Sequence, residues 1–208
     1  MPADTSTIAK LAKVAPKEAD DPHCADIGAP TRAGSPVDTD TDLLKNRIDT
    51  GNYTDVSFGS VLALPWKHLP RRRYDWSAAE SASVAKYERA AVRVTGYLIA
   101  VKQEGPEATN CESQAAAWHD WHLWLVSTEA EAAARDKAQA IVIEITPRVR
   151  ALQQQSWDIH QLAAWAHAGQ RVQVSGWLLL DPDHPDQVGK SRGTIWEIHP
   201  VMRIGPAQ

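Results

Sequence analysis

Cysteine and long apolar runs are scarce in this chain of 208 residues. Its two cysteines, Cys24 and Cys111, are too few for a disulfide scaffold and lack the C-x-x-C spacing of a structural zinc site. We therefore expect Cys111 to be a lone thiol. No uncharged stretch approaches the roughly 20 residues that span a bilayer, and the first residues lack the apolar run of a secretory signal. The sequence thus predicts a cytoplasmic protein with no membrane contact.

An excess of positive charge is also lacking. There are 22 Lys and Arg residues against 26 Asp and Glu, a formal net charge of -4, so a nucleic-acid site would have to be local. A single Phe stands beside nine Trp. Tryptophan fills small cores and also stacks on bases or sugars, and composition leaves both uses open.

The chain divides into three parts. Residues 1–52 have few large apolar side chains, so they are predicted to form a disordered tail, which is a candidate site for a protein partner. Residues 53–90 begin apolar, and Ser77 and Glu80 have the spacing of a capping box. They are predicted to be an extended segment and a helix that pack on a barrel formed by residues 91–208.

Five segments of the barrel part are rich in β-branched and aromatic residues, as strands are: 91–102, 120–127, 140–146, 171–181 and 194–203. A helix is predicted between the third and fourth segments, with Ser156 as N-cap, Ile159 and Leu162 on its apolar face and Gly169 at its end. A second capping box, Thr128 and Glu131, predicts a short helix between the second and third strands.

This order of elements resembles the OB-fold, a five-stranded Greek-key barrel with a helix between strands 3 and 4. The fold class predicted is therefore mainly β with helical inserts (α+β). Two strands also resemble each other, because residues 92–99 match residues 172–179 in character, with Gly96 and Gly176 at equivalent places. A glycine within a strand is typical of the sharp bends that barrel closure needs.

The endings EITPR and WEIHPV, together with Asn110-Cys111 before the strand that carries Asp120-x-His122, resemble patterns of uncharacterised bacterial proteins. The resemblance implies an OB-like barrel for this chain. It transfers no activity.

Acids and histidines alternate with apolar residues on three of these strands. Side chains two apart share a face, so Asp120 lies with His122, and Glu197 with His199, while Glu144 interrupts an apolar strand. If the strands pair suitably, these side chains hold a divalent metal such as zinc or manganese, or carry acid–base chemistry. The alternative is the ordinary solvent face of an antiparallel sheet.

A ligand of an OB-like barrel is expected across strands 2 and 3, between the loops that join strands 1 and 2 and strands 4 and 5. The residues predicted to contact it are Trp124, His122, Trp118, Lys190 and Arg192. An aromatic floor flanked by cations suits single-stranded nucleic acid or another oligomer, although acidic residues in the same loops oppose phosphate.

Three functions remain open from the sequence. The first is a binding module for an oligomer. The second is a metal-dependent hydrolase, with phosphodiesters or nucleic acid as candidate substrates, that uses the Asp, His and Glu cluster. The third is a structural or assembly protein. No catalytic residue is assigned, and whether the protein is an enzyme is left open.

Overall fold

The computed structural model describes residues 4–11, 13, 24–30, 33–152 and 157–208. Its helices are α1 (Ser6–Lys10), α2 (Thr39–Asn46), α3 (Phe58–Leu62), α4 (Ala78–Ala85), α5 (Glu129–Ala134), α6 (Pro147–Leu152) and α7 (Ile159–Ala168). Its strands are β1 (Thr54–Asp55), β2 (Ala91–Gln103), β3 (Trp121–Val126), β4 (Ile141–Ile145), β5 (Arg171–Leu180) and β6 (Trp196–Pro206). Within these residues, no helix has the length and apolar content needed to cross a membrane.

Strands β2 to β6 form a closed barrel. The sheet order is β1-β2-β3-β4-β6-β5, and β2 also pairs with β5, which closes it. All neighbours are antiparallel except β4 and β6, which are parallel, and the short β1, which runs parallel to β2. Helix α7 lies between the third and fourth barrel strands. The predicted fold class, a mainly β barrel of five strands with helical inserts, is confirmed.

The barrel interior is filled by the apolar side chains that alternate along the strands. Leu123, Leu125, Ile141 and Ile143 are fully buried there, together with residues of every other barrel strand. Burial of such side chains is the main force that holds the strands together, at about 25 cal/mol for each Å² removed from water. The intervening side chains of β3, β4 and β6 consequently lie on the outer face of the barrel.

The two similar segments are paired with each other in the structure. Strands β2 and β5 run antiparallel with Val92 opposite Gly176 and Gly96 opposite Val172. A Cβ atom at Gly96 would approach the carbonyl oxygen of Val126, and one at Gly176 would overlap that of Pro200. Both glycines therefore allow a close approach of neighbouring backbone.

The predicted capping boxes are both present. Ser77 and Glu80 begin α4, and Thr128 and Glu131 begin α5. Helix α7 begins later than predicted, with the side chain of Asp158 accepting a hydrogen bond from the backbone N–H of His160; Ser156 lies outside the described residues. Gly169 ends this helix with a φ of 61°, a backbone conformation that glycine adopts without strain.

The segment at residues 53–90 packs on the barrel, but residues 58–62 of the stretch predicted to be extended form helix α3. Phe58, Val61 and Leu64 join the core, and α4 contributes Val84. Beyond these apolar contacts, buried Arg73 donates two hydrogen bonds to the carboxylate of Glu88, at 2.8 and 2.6 Å. The carbonyl of Leu180 accepts a third at 3.0 Å.

The prediction of a disordered tail over residues 1–52 is wrong for its described part. Residues 24–30 and 33–52 lie against the barrel, α2 forms within them, and Asp42, Asn46 and Arg47 are buried. The reason is that polar contacts hold this segment together with only a few buried apolar side chains, Ile8, Cys24 and Leu44. Such contacts leave no hydrophobic pattern in the sequence.

Two of these contacts are strong. Cys24 and Cys111 form a disulfide with a Cα–Cα distance of 5.8 Å, so the prediction of a lone thiol at Cys111 is wrong. Arg148 is 3% exposed and donates hydrogen bonds to the Asp26 carboxylate, to the side-chain oxygens of Asn46 and Asn110, and to the carbonyls of Cys24 and Ala25. The Arg148 guanidinium thus connects its own helix, α6, to three other stretches of chain: residues 24–26, α2 and Asn110.

We expect reduction of the disulfide to lower the free energy of unfolding by about 2–5 kcal/mol, because the bond closes a long loop in the unfolded chain. The two cysteines are 87 residues apart. Urea denaturation with and without a dithiol measures the difference. The double variant Cys24→Ser/Cys111→Ser should have the free energy of unfolding of the reduced wild type, with or without the dithiol. Equal stability of oxidised and reduced wild type would contradict the prediction.

Candidate metal centre

The register of the strands brings four of the predicted side chains together on the outer face of the barrel. His122 of β3 is directly opposite Glu144 of β4. Strand β6 runs beside β4 with Ile198 next to Ile143, which places His199 beside Glu144. Asp120 comes immediately before β3 and reaches the same place.

We call Asp120, Glu144, Glu197 and His199 the acid–histidine cluster. One ligand atom from each of Asp120, Glu144 and His199 lies within 4.8 Å of the other two. Nδ1 of His199 is 3.1 Å from Oε2 of Glu144 and 3.8 Å from Oε2 of Glu197. Nε2 of His199 is 3.8 Å from Oδ2 of Asp120. None of the four residues is more than 2% exposed.

The converging atoms of this cluster are left without hydrogen bonds. Among the described residues, no hydrogen bond of suitable geometry is found for Asp120 Oδ2, Glu144 Oε2, Glu197 Oε2 or either ring nitrogen of His199, whose contacts with one another are ion pairs. A buried polar atom without a partner costs about 1–3 kcal/mol, and more when it is charged. Two ligands of one ion bound at about 2.0–2.2 Å lie roughly 3–3.5 Å apart, which is the separation of His199 and Glu144. The cluster therefore has the donor atoms and the spacing of a metal site.

Neighbouring side chains hold the cluster in place. Asn110 donates a hydrogen bond of 3.0 Å to Oδ1 of Asp120, which leaves Oδ2 facing the cluster, and Asn110 is itself held by Arg148. His122 lies between Glu144 and Glu104, with Nε2 against Glu144 and Nδ1 3.1 Å from Glu104. Such second contacts fix the orientation of metal ligands in proteins.

Burial and neighbouring charges both shift the pKa values of these groups. Burial opposes a charge on His122, but Glu144 and Glu104 outweigh it and hold the pKa of His122 well above its usual range. Burial likewise opposes a charge on His199, yet Glu144 raises the pKa of His199 to about 9. Burial, with Glu107, raises the pKa of Asp120 to about 6. The pKa of Glu144 is held well below its usual range because His122 and His199 outweigh its burial.

A chain of ion pairs connects the cluster to the surface on both sides. It contains five acids, two fixed cations and three histidines: Glu104, Asp120, Glu144, Asp181, Glu197, Lys102, Arg192, His122, His184 and His199. When all five acids are ionised, Lys102 and Arg192 balance two of the five negative charges, and three are left. Protons on the imidazoles, or a bound divalent cation with fewer protons, neutralise them.

A cleft of about 330 Å³ opens over part of this chain. His122 and Glu144 line it, between the loop that joins β2 and β3 and the loop that joins β5 and β6. Helix α2 forms a further wall. The polar residues on its walls include Asp42, Lys45, Arg71, Arg72, Glu107, Asp181 and His184.

The other residues predicted to contact a ligand are placed away from this cleft. Trp124 donates a hydrogen bond to the Ser191 carbonyl and its ring is covered by the ammonium group of Lys137 at 3.6 Å. Trp118 is half-buried, with the Arg148 guanidinium 5.9 Å from its ring. Lys190 is exposed. Arg192 is 2% exposed and bonded to Asp181 and Glu197, so it neutralises acids inside the protein.

Sequence reasoning missed several residues of the site. The pair Asp181 and His184 stands in a loop, so no strand periodicity marks it, although its D-x-x-H spacing is visible. Lys45 belongs to the segment predicted to be disordered, and its pairing with Glu107 depends on the fold of that segment. Asn110 belongs to the Asn110-Cys111 pair before the strand with Asp120, and the structure adds its contact with Asp120.

Comparisons with protein-family models, with curated proteins and with solved structures found no match to this chain.

We expect Asp42→Asn to stabilise the protein above pH 6. Burial raises the pKa of Asp42 from 3.8 to about 6 in the folded protein. The folded state thus binds a proton that the unfolded state has lost, and stability falls as pH rises from about 4 to 6. Asparagine keeps an oxygen to accept the hydrogen bond from Thr109, of 2.8 Å in the native protein, without the buried charge.

The gain at pH 7 should be on the order of 1–3 kcal/mol and should vanish below pH 4. Urea denaturation at several pH values measures it. Asp40→Asn, at an exposed position of the same helix, is the matched control and should leave the pH dependence unchanged. A gain of the same size at pH 4 and pH 7 would contradict the assignment to buried charge.

Proposed function

We propose that this protein is a metal-dependent hydrolase built on an OB-like barrel. The observation that carries the proposal is the convergence of Asp120, Glu144 and His199, which are buried, pair with one another, and have ligand atoms with no hydrogen bond of suitable geometry among the described residues. Buried acids without partners are unfavourable unless a cation joins them. The acid–histidine cluster would hold that cation.

The donor set favours particular metals. Carboxylate oxygens and one imidazole suit zinc and manganese, and the set contains no thiolate that would favour a softer ion. Asp120, Glu144 and His199 would hold the ion, and Glu197 stands 3.8 Å from His199 as a further carboxylate. A bound divalent ion of this kind supplies a hydroxide at neutral pH and polarises the bond to be cleaved.

The cleft provides a place for the substrate. Glu144 belongs both to the cluster and to the cleft lining, so a substrate in the cleft would lie next to the metal centre. Lys45, Arg71 and Arg72 on the walls favour an anionic substrate, although acids also line the cleft. Phosphodiesters, either small or within a nucleic acid, are the substrate class that we propose.

A binding module for single-stranded nucleic acid or another oligomer is the second candidate. In its favour, the cleft lies between the two loops that flank the ligand in OB-like barrels. Stacking on Trp124 gives it less support, because Lys137 covers that ring. The third candidate, an assembly protein that recruits a partner through residues 1–52, has less support because the described part of that segment is packed on the barrel.

The bond between Cys24 and Cys111 bears on the location of the protein. Disulfides persist in oxidising compartments and are rare in the cytosol. We therefore propose that the protein works in an oxidising compartment. This differs from the cytoplasmic location predicted from the sequence. The resemblance to bacterial proteins with a WEIHPV strand stays a prediction.

We expect the metal-free protein to bind one equivalent of Zn²⁺ or Mn²⁺, measured by titration calorimetry. His199→Asn and Asp120→Asn should each weaken binding at least tenfold, because each removes a ligand, while His160→Asn, at an exposed helix position, should bind as the wild type does. Thermal unfolding of each variant separates loss of a ligand from loss of the fold. A folded wild type that binds neither metal would overturn the proposal.

We expect hydrolysis of bis(4-nitrophenyl) phosphate by the wild type to stop when a chelator removes the metal and to return on reloading with Zn²⁺ or Mn²⁺. Release of 4-nitrophenol measures the rate. Glu144→Gln should lower the rate at least 10²-fold, since it removes both the ligand charge and the partner of His122. A rate that does not change on chelation would count against a metal-dependent reaction.

A further inference from the structure

His184 is an imidazole of the cleft that the metal centre does not use. Its Nδ1 is 2.6 Å from Oδ2 of Asp181, and its side chain is 40% exposed. Among the described residues, nothing hydrogen-bonds to its Nε2. One ring nitrogen is therefore held by a carboxylate while the other is presented to the solvent that fills the cleft.

Asp181 is itself firmly held. The same Oδ2 accepts a hydrogen bond of 2.8 Å from Arg192, and Oδ1 accepts one of 2.9 Å from the backbone N–H of Asp183. Arg192 continues to Glu197 at 2.7 Å. An imidazole oriented by a fixed carboxylate is the arrangement by which enzymes position a group for proton transfer.

The other histidine of the cleft is less suited to this role. His122 has both ring nitrogens occupied, one by Glu104 and one by Glu144, and its side chain is 14% exposed. A proton given up from either nitrogen would leave a carboxylate of the network without its partner. His184 has a nitrogen that can transfer a proton without breaking an existing contact.

Resting on the proposed function, we infer that His184 is the general acid of the cleft, which protonates the leaving oxygen of a phosphodiester from Nε2. The oxygen of a water molecule forms a bond to phosphorus, and the bond between phosphorus and the leaving oxygen breaks with its electron pair on that oxygen. His184 donates the proton that converts it to an alcohol. The proton lost by the attacking water returns to His184 through solvent, so the imidazole is regenerated.

The charges around His184 agree with this role. The hydrogen bond that His184 donates to Asp181 raises the pKa of His184, and burial, with Arg192, opposes that rise. A raised pKa lets an imidazole keep its proton to a higher pH, and a general acid must hold its proton at the start of the reaction.

The test compares two diesters that differ in how much their leaving groups need a proton. Wild type, His184→Gln and the control His160→Gln, each loaded with Zn²⁺ or Mn²⁺, are assayed on diphenyl phosphate and on bis(4-nitrophenyl) phosphate. Phenoxide is the stronger base and needs the acid more than 4-nitrophenoxide does. We expect His184→Gln to lower kcat on the order of 10²-fold for diphenyl phosphate. For the nitrophenyl ester, the decrease in kcat should be at least tenfold smaller.

Metal affinity of His184→Gln should equal that of the wild type, because His184 is outside the acid–histidine cluster. His160→Gln should match the wild type on both esters. If His184→Gln slows both esters equally, or neither, His184 is not the general acid and the proposed hydrolase stands. If the metal-loaded wild type hydrolyses neither ester, the proposed function fails and the role of His184 with it.

Discussion

The packing of the segments that cover the candidate site depends on the burial of one guanidinium. Arg148 follows the third barrel strand, and its hydrogen bonds reach the segment after Cys24, helix α2 and Asn110. A buried charge of this kind is tolerated only when its donors are satisfied, so the segments that satisfy it must pack on the barrel. They cover the outer face of the barrel around the acid–histidine cluster. Without this cover, that face would meet water. Acids and histidines that would otherwise be solvated thereby become a buried cluster.

The barrel could be predicted from the sequence because its signals are local and repetitive. Ile141, Ile143 and Ile145 alternate along one strand, Ser77 and Glu80 begin a helix, and Gly169 ends another, and each of these patterns acts within a few residues. The candidate site was predictable in part for the same reason. His122 and Glu144 lie on known faces of adjacent strands, so their meeting required only the right register.

What covers the site could not be predicted in this way. Cys24 and Cys111 are 87 residues apart, and Arg148 contacts Asp26 across an even longer separation. Contacts of this kind have no period in the sequence, and a segment poor in apolar residues has the composition of a disordered one. The composition of residues 1–52 indicated too little hydrophobic burial. It contained no sign of the hydrogen bonds that replace that burial.

Strand β1 has a consequence for how the molecule meets its own copies. The second half of β2 pairs with β3, whereas the edge of its first half is taken up by Thr54 and Asp55, which lie opposite Val92 and Arg93. An exposed strand edge is a template for pairing with another chain, and very short or charged edge strands resist such pairing. In the part of the chain that the structure describes, Thr54 and Asp55 cover this edge of β2, and Asp55 forms an ion pair with Arg93. A strand of only two residues is thus enough to discourage aggregation through that edge.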